Sequence, residues 1–318
     1  MKIVLAGGSG QVGRILSRAF VRAGDEVVVL SRSLDSQARG VRFVRWDGKN
    51  SGPWVTEIDG CDAVIGLAGR SVNCRYTNRN RQIIRDSRVD SVVTLGAAIR
   101  QCSNPPPVWL QASTATIYEH TYGVPNDEEH GRLGGDEPGA PDTWRFSIEV
   151  AKAWERAVPS DLVATRTVLL RSAMVMSPDR GGVFDTFLRL VRLGLGGTIG
   201  NGRQFVSWIH EADFVQAVRF LIAREDFAGP VNLASPNPIP NREFMSMLRA
   251  AQGVPIGLPA FGFILEVGAV LVGTESELVL KSRRVVPGRL LAAGFKFAFP
   301  EWEEAARELC RRAESERS

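Results

Sequence analysis

Along the first half of the chain, apolar residues come in short unbroken runs separated by stretches of helical spacing. Ile3-Val4-Leu5-Ala6 is the first run, and it ends in glycines. Val12, Ile15, Leu16, Ala19, Phe20 and Ala23 then recur at the interval that lines one helix face, so residues 11–23 are predicted helical, with Gly24 at the C-cap. Further apolar runs follow at Val27 to Leu30, Val41 to Trp46 and Ala63 to Leu67. Residues 79–101 form a long amphipathic segment, stopped by Asn104-Pro105-Pro106-Pro107. Val108-Trp109-Leu110 supplies a fifth strand, residues 144–158 another helix, and Val163 to Leu170 a sixth strand.

Runs without polar alternation belong to strands buried on both faces, as in a parallel sheet covered by helices. The repeated β-α-β order predicts an α/β fold, a Rossmann-type doubly wound parallel sheet over residues 1–172. Beyond residue 172 glycine and arginine become frequent and the elements short and mixed. This texture predicts a smaller C-terminal lobe, residues 173–318, on the substrate side. Segments within about 205–235, namely Phe205–Ile209 and Val231–Ala234, are expected to return to the sheet.

Composition adds bounds rather than chemistry. The 318 residues are 44% hydrophobic and 23% charged, the balance of a soluble globular protein. A formal charge of +4 without any run of five like charges fits an anionic ligand as well as it fits nucleic acid and demonstrates neither, and no nucleic-acid partner is expected. The most apolar later stretch, Phe261 to Gly273, carries Glu266 and is too short to cross a bilayer, so no membrane partner is expected. Met1-Lys2 leads straight into the first strand, with no signal-like segment. Cys61, Cys74, Cys102 and Cys310 show no C-x-x-C spacing, and His120, His130 and His210 are too few for a histidine-rich metal site. These features predict a cytoplasmic protein with free thiols and no metal. Oligomeric state is not legible.

Candidate chemistry begins in the first loop. Gly7-Gly8-Ser9-Gly10-Gln11-Val12-Gly13 stands between the first strand and the first helix and reads G-x-x-G-x-x-G. Glycines there allow a tight turn and bring backbone N–H groups and the positive helix end against a pyrophosphate. Gly7, Gly10, Gln11, Val12 and Gly13 are therefore assigned to dinucleotide binding. NAD sites usually end the second strand with an acid that accepts from the ribose 2′-hydroxyl. Here that strand ends Leu30-Ser31-Arg32-Ser33, with no acid before Asp35. A guanidinium favours a 2′-phosphate, so Ser31 and Arg32 predict NADP(H) as the cofactor.

With these residues the chain resembles the extended type of the short-chain dehydrogenase/reductase superfamily, which includes nucleotide-sugar epimerases and dehydratases. It is more closely similar to an atypical subgroup of NAD(P)-dependent epimerase family proteins of uncertain substrate. Besides the glycine loop, the resemblance rests on Trp46-Asp47, Leu67-Ala68-Gly69, Ser87-Arg88, Trp154-Glu155, Ser207-Trp208-Ile209-His210, Pro287-Gly288-Arg289-Leu290 and Gly294-Phe295. It implies that Leu67, Ala68 and Gly69 line the cofactor, that Asp47 lies near adenine, and that Arg88 belongs to the cofactor site. It also places Thr114, in Ala112-Ser113-Thr114-Ala115-Thr116-Ile117-Tyr118, at the family's catalytic Ser/Thr position.

The family's Tyr-x-x-x-Lys pair has no counterpart. Four residues after Tyr76, Tyr118 and Tyr122 stand Asn80, Tyr122 and Asn126, and four before Lys152 stands Ile148. Alignment on Trp154-Glu155 puts Ser147 and Ala151 where tyrosine and lysine would be. The usual tyrosine acid, whose pKa a lysine lowers, cannot be carried over. Candidate replacements are Tyr118, four residues past Thr114, and Glu149 with Lys152, which share a helix face at i and i+3. Their bland readings are a structural tyrosine and a solvated ion pair. His210, ahead of Glu211 and Asp213, reads either as a substrate-facing residue or as a helix cap. Two functions follow. One is an NADP(H)-dependent oxidoreductase or epimerase-like enzyme on a small polar, sugar-like substrate. The other is a non-catalytic NADP(H)-binding redox sensor or scaffold.

Overall fold

A computed structural model describes residues 1–34, 38–259 and 280–315. Phe261 to Gly273 and Asp35 lie outside the described residues. Seven parallel strands form the central sheet. They are β1 (Lys2–Ala6), β2 (Glu26–Ser31), β3 (Val41–Arg45), β4 (Ala63–Gly66), β5 (Val108–Thr114), β6 (Arg166–Ser172) and β10 (Gly229–Leu233). Their order across the sheet is β10-β6-β5-β4-β1-β2-β3, so the chain reverses direction between β1 and β4. Ligands of open α/β sheets bind outside the strand C-termini at such a switch point.

The layers follow from the patterning. Ile3, Leu5, Val27 and Val29 point to one face, where Ile15, Leu16 and Phe20 of α1 (Gln11–Arg22) cover them. Val4, Val28 and Val64 point to the other, under Val92, Leu95 and Ile99 of α3 (Asn78–Gln101), with the short α2 (Val55–Ile58) beside it. Gly24 takes φ +82°, as a glycine just past a helix end does. Thr77 caps α3, its side chain accepting from Asn80 N–H at 3.3 Å. The fourth layer element of use to the site is α4 (Asp142–Arg156), packed against α3 and β5.

The lobe divides less simply than its sequence suggests. Val231–Leu233 joins the central sheet as β10, paired with β6. Phe205–Ile209 does not. It forms β8 (Phe205–Val206), antiparallel to β11 (Ile239–Pro240), and starts β9 (Trp208–His210), parallel to β7 (Met174–Met176). The physical reason is α6 (Glu211–Ala223), which follows at once and packs its Phe214, Ala217 and Leu221 into the same core as α1. With that face of the sheet filled by a helix, the preceding residues pair outside it. The lobe's own core gathers α5 (Val183–Arg192), α7 (Asn241–Gln252) and α9 (Trp302–Ser315). A five-residue helix, α8 (Gly288–Ala292), lies against β10 instead. Trp302 centres the lobe core: it stacks on Phe244 at 4.1 Å between centroids, meets Trp208 at 5.0 Å, and donates through Nε1 to Phe244 O at 3.0 Å.

Truncating that side chain leaves a large cavity, so Trp302→Ala should destabilise the protein by about 3–5 kcal/mol. Urea unfolding followed by fluorescence measures this, and a loss below about 1 kcal/mol would show the lobe does not rest on Trp302.

Candidate functional site

The C-terminal edge of β2, β1, β4 and β5 carries the residues singled out from the sequence, across three strand intervals or about 14 Å. At one end Ser31 is buried and Arg32 is exposed, with no ion pair to Arg32 among the described residues. Trp46 N–H donates to Ser31 O at 2.9 Å, which brings Asp47 beside the end of β2. The Asp47 carboxylate accepts from Asn50 N–H, from the Asn50 side chain and from Lys49 N–H at 2.6–2.9 Å, and these bonds hold it down at about 2. It thus closes its own turn.

The three motif glycines differ in what demands them. Gly7 has φ +85°, and a Cβ there would lie 2.6 Å from Ala68 Cα, so the glycine loop and the Leu67-Ala68-Gly69 loop are in backbone contact. A Cβ on Gly13 would lie 2.1 Å from Gly8 O. Both are requirements of the chain's own packing. At Gly10 φ is −76° and a Cβ would meet nothing within 4 Å. The chain's own packing does not require glycine there, and the space beside it is open. α1 starts at this residue with no side-chain cap and no acid in its first turn, so its N–H groups and positive end face that space. Next to it Gln11 Nε2 is a buried donor without a partner, against Gly182 at the start of α5. Val12 follows in the first turn. Behind the loop, an open hollow of about 540 Å³ is bordered by Gly8, Ser9, Arg14, Arg22, Arg39 and by Arg18, which is paired with Asp179 and Glu211.

At the other end lies a smaller cavity of about 120 Å³ between α3, α4 and the end of β5. Thr114, Ser147, Ala151, Arg88 and Tyr76 line it, with Trp154 as a wall. Thr114 Oγ1 also accepts from Thr116 N–H at 3.2 Å, which opens a one-turn 3₁₀ helix over Ala115–Ile117. Arg88 is flanked by Gly69, whose Cβ would lie 3.2 Å from the arginine Cγ and Cζ, and its guanidinium stacks 5.0 Å above the Trp154 ring. Desolvation pushes that guanidinium down to about 10, so it stays charged at neutral pH.

The structure brings Thr114 and Arg88 together with Gly69, and the other candidate acids elsewhere. Tyr118 is buried: its hydroxyl donates to Asn232 Oδ1 at 2.9 Å and accepts from Arg171 Nη1 at 2.9 Å. Burial raises its pKa, and it does not border the cavity. Glu149 is exposed, and Lys152 Nζ lies 3.6 Å from where a Gly135 Cβ would be. The i, i+4, i+7 face of α4 that looks into the cavity is Ser147, Ala151 and Trp154, a quarter-turn or more away from Glu149 and Lys152. That periodicity was present in the sequence as a signal. Tyr76 carries no such signal, since it sits in the irregular stretch before α3. His210 caps α6, with Nδ1 accepting from Ala212 N–H at 3.1 Å, Nε2 paired to Glu308 at 2.9 Å and the ring stacked on Phe299. The cap, not a substrate contact, accounts for it.

Residues 3–234 match the model of the NAD dependent epimerase/dehydratase family, and residues 260–309 match a domain of unknown function, DUF1731. The chain is 31% identical over 315 residues to the epimerase family protein SDR39U1 of Bos taurus, covering 97% of this chain and 99% of the relative. It is 28% identical to the epimerase family protein YfhF of Bacillus subtilis (strain 168), covering 97% and 98%. The crystal structure of human SDR39U1 (isoform 2) with NADPH superposes at a TM-score of 0.83 with 28% identity, covering 98% of this chain and 99% of that one.

The glycines yield a test of which loop contacts are internal. Gly13→Ala must push Gly8 aside and should cost about 1–3 kcal/mol, whereas Gly10→Ala should change stability by less than about 0.5 kcal/mol. Parallel urea titrations decide it; equal costs would contradict the geometry at Gly10.

Proposed function

Because the chain belongs to the NAD dependent epimerase/dehydratase family, we propose that it binds NADP(H) across the ends of β2, β1, β4 and β5. On this reading it is an oxidoreductase or epimerase-like enzyme for a small polar, sugar-like substrate. The observation that carries the cofactor assignment is the cradle at Gly10, open to a ligand and flanked by the unpartnered Gln11 amide. Pyrophosphate oxygens would satisfy that amide and the first-turn N–H groups of α1. Exposed Arg32, with Arg39 and Arg14 around the loop, suits a 2′-phosphate better than a ribose hydroxyl, and NADPH in the human relative supports the same choice. Asp47, Leu67, Ala68 and Gly69 would border the cofactor between the loop and the cavity.

When bound, the nicotinamide supplies a hydride donor or acceptor. What the chain adds is position and proton handling. Thr114 and Ser147 present hydroxyls from two elements into the 120 Å³ cavity, with Tyr76 as the phenol on its border. A substrate oxygen held among them can exchange a proton with a hydroxyl, while the apolar walls, such as Val150 and Trp154, exclude water. Among the described residues, no carboxylate or imidazole lines the cavity. That absence favours the second reading, an NADP(H)-binding sensor or scaffold, if a search for turnover fails.

NADPH should bind more tightly than NADH by roughly 10- to 150-fold, the equivalent of one charge-assisted hydrogen bond of about 1.5–3 kcal/mol. Fluorescence titration with Arg32→Ala tests this; equal affinities, or an unchanged preference in the variant, would reject the 2′-phosphate assignment.

Catalysis is the sharper division. General acid–base help is typically worth about 10²–10⁴-fold, so without the tyrosine–lysine pair common ketones and sugar nucleotides should turn over slowly at best. For a substrate found by metabolite screening against bound NADPH, Thr114→Ala should lower kcat by two orders of magnitude or so. Glu149→Gln, Lys152→Met and Tyr118→Phe should leave it within a few-fold. Typical dehydrogenase rates on simple ketones would overturn this account.

A further inference from the structure

The connection from β2 to β3 departs from the pattern of the rest of the sheet. Parallel neighbours are normally joined by a crossover of a dozen or more residues, usually a helix. Here β2 ends at Ser31 and β3 starts at Val41, and no helix stands between them among the described residues. Beyond α1, that face of the sheet lacks the cover α1 gives to β1 and β2. Val41 and Phe43, two apart on β3, are left half-buried there together with Val21 of α1. These three side chains are the apolar floor of the 540 Å³ hollow.

Shape and charge decide what fits it. On α1 the lining runs Arg14, Ser17, Arg18, Val21 and Arg22, one stripe at helical spacing. The hollow thus extends along eight residues of helix, about 12 Å, which gives it a cross-section of about 45 Å². A helix, about 10 Å across, needs nearly twice that. An extended peptide would lay unpaired backbone groups on an apolar floor, which is costly. A single chain of methylenes meets neither objection. Its head group is specified by the rim. Arg22 and Arg39 are exposed and take no ion pair among the described residues, whereas Arg18 is already paired with Asp179 and Glu211. A Cβ on Gly40 would lie 2.7 Å from Val21 Cγ1, so the backbone next to Arg39 is held directly against α1.

We propose that this hollow binds a long-chain carboxylate, with the acyl chain along Val21, Val41 and Phe43 and the head group at Arg22 and Arg39. The site goes beyond the cofactor reading and does not rest on it. It follows α1 away from the strand ends, and only its border at Gly8 and Ser9 meets the glycine loop.

Calorimetry with submicellar dodecanoate tests it. Dodecyltrimethylammonium offers the same chain with the opposite charge, and hexaglutamate offers charge without a chain. Dodecanoate should bind at least about 10-fold more tightly than either. Arg22→Glu should weaken dodecanoate by roughly 5- to 20-fold, the scale of reversing one exposed ion pair, and leave NADPH within about twofold. Phe43→Asp should weaken dodecanoate by about 10-fold or more, because it puts a charge on the floor. Should that variant fail to fold, the exposed Arg22→Glu substitution carries the test. Dodecanoate and NADPH should also bind together. Equal binding of the cationic chain or of hexaglutamate, or no loss in Arg22→Glu, overturns the proposal. Displacement of dodecanoate by NADPH does the same, since it would put the chain in the cofactor cleft.

Discussion

The fork-to-fork ion pair between Arg171 and Glu155 sets the geometry of the cleft. Nε and Nη2 of Arg171 donate to the two Glu155 oxygens at 2.9 and 2.8 Å, with both side chains nearly excluded from solvent. Ser113 Oγ adds a third bond to Glu155 at 2.6 Å. Because Ser113, Arg171 and Asn232 stand in register on β5, β6 and β10, one polar row crosses three strands just before their ends. Tyr118 bridges Arg171 to Asn232, and Asn232 N–H reaches Glu128 at 2.7 Å. Such a pair is not itself a large source of stability, but breaking one partner leaves an uncompensated buried charge at a cost of about 3–5 kcal/mol. Its effect is to fix the rotation of α4, and with it which residues of that helix look into the cavity.

That rotation explains the fate of the candidate acids. With Glu155 committed to the sheet, Trp154 and Ala151 turn toward α3, and Glu149 and Lys152 turn away. The tyrosine nearest to Thr114 in sequence is drawn into the polar row instead of the cavity. Among the described residues, what lines the cavity at the end of β5 is a set of hydroxyls and one arginine, with no carboxylate or imidazole. It can hold a polarised oxygen more readily than it can remove a proton.

The dinucleotide end is governed by a different constraint, close approach of backbone. Gly7 against Ala68 and Gly13 against Gly8 let two loops and a helix end meet at distances a side chain forbids. These contacts make a rigid frame, and Gly10 is left as the position where that frame faces outward. The same sheet edge thus presents two kinds of surface: backbone dipoles at the glycine loop on one side, side chains around the cavity at the end of β5 on the other.

Much of this was legible in the residues themselves. Continuous β-branched runs such as Val27 to Leu30, alternating with helical spacing, indicate strands buried on both faces, so the parallel sheet, its helices and the glycine loop followed from local pattern. The absence of a tyrosine–lysine pair was simple arithmetic on three tyrosines. Side-chain periodicity on α4 also held the cavity face, since Ser147, Ala151 and Trp154 recur at helical spacing. Tertiary structure alone decided the rest. Whether Tyr118 faces substrate or Arg171 depends on a partner 53 residues away, and whether Arg88 is a surface charge or the cation of a cleft depends on Trp154 and Gly69, brought to it from α4 and from the end of β4. Local sequence determines the conformation of a segment because its hydrogen bonds and apolar stripe are short-range. The use of a charged side chain is settled by which distant groups desolvate or neutralise it, and only the folded chain brings those groups together.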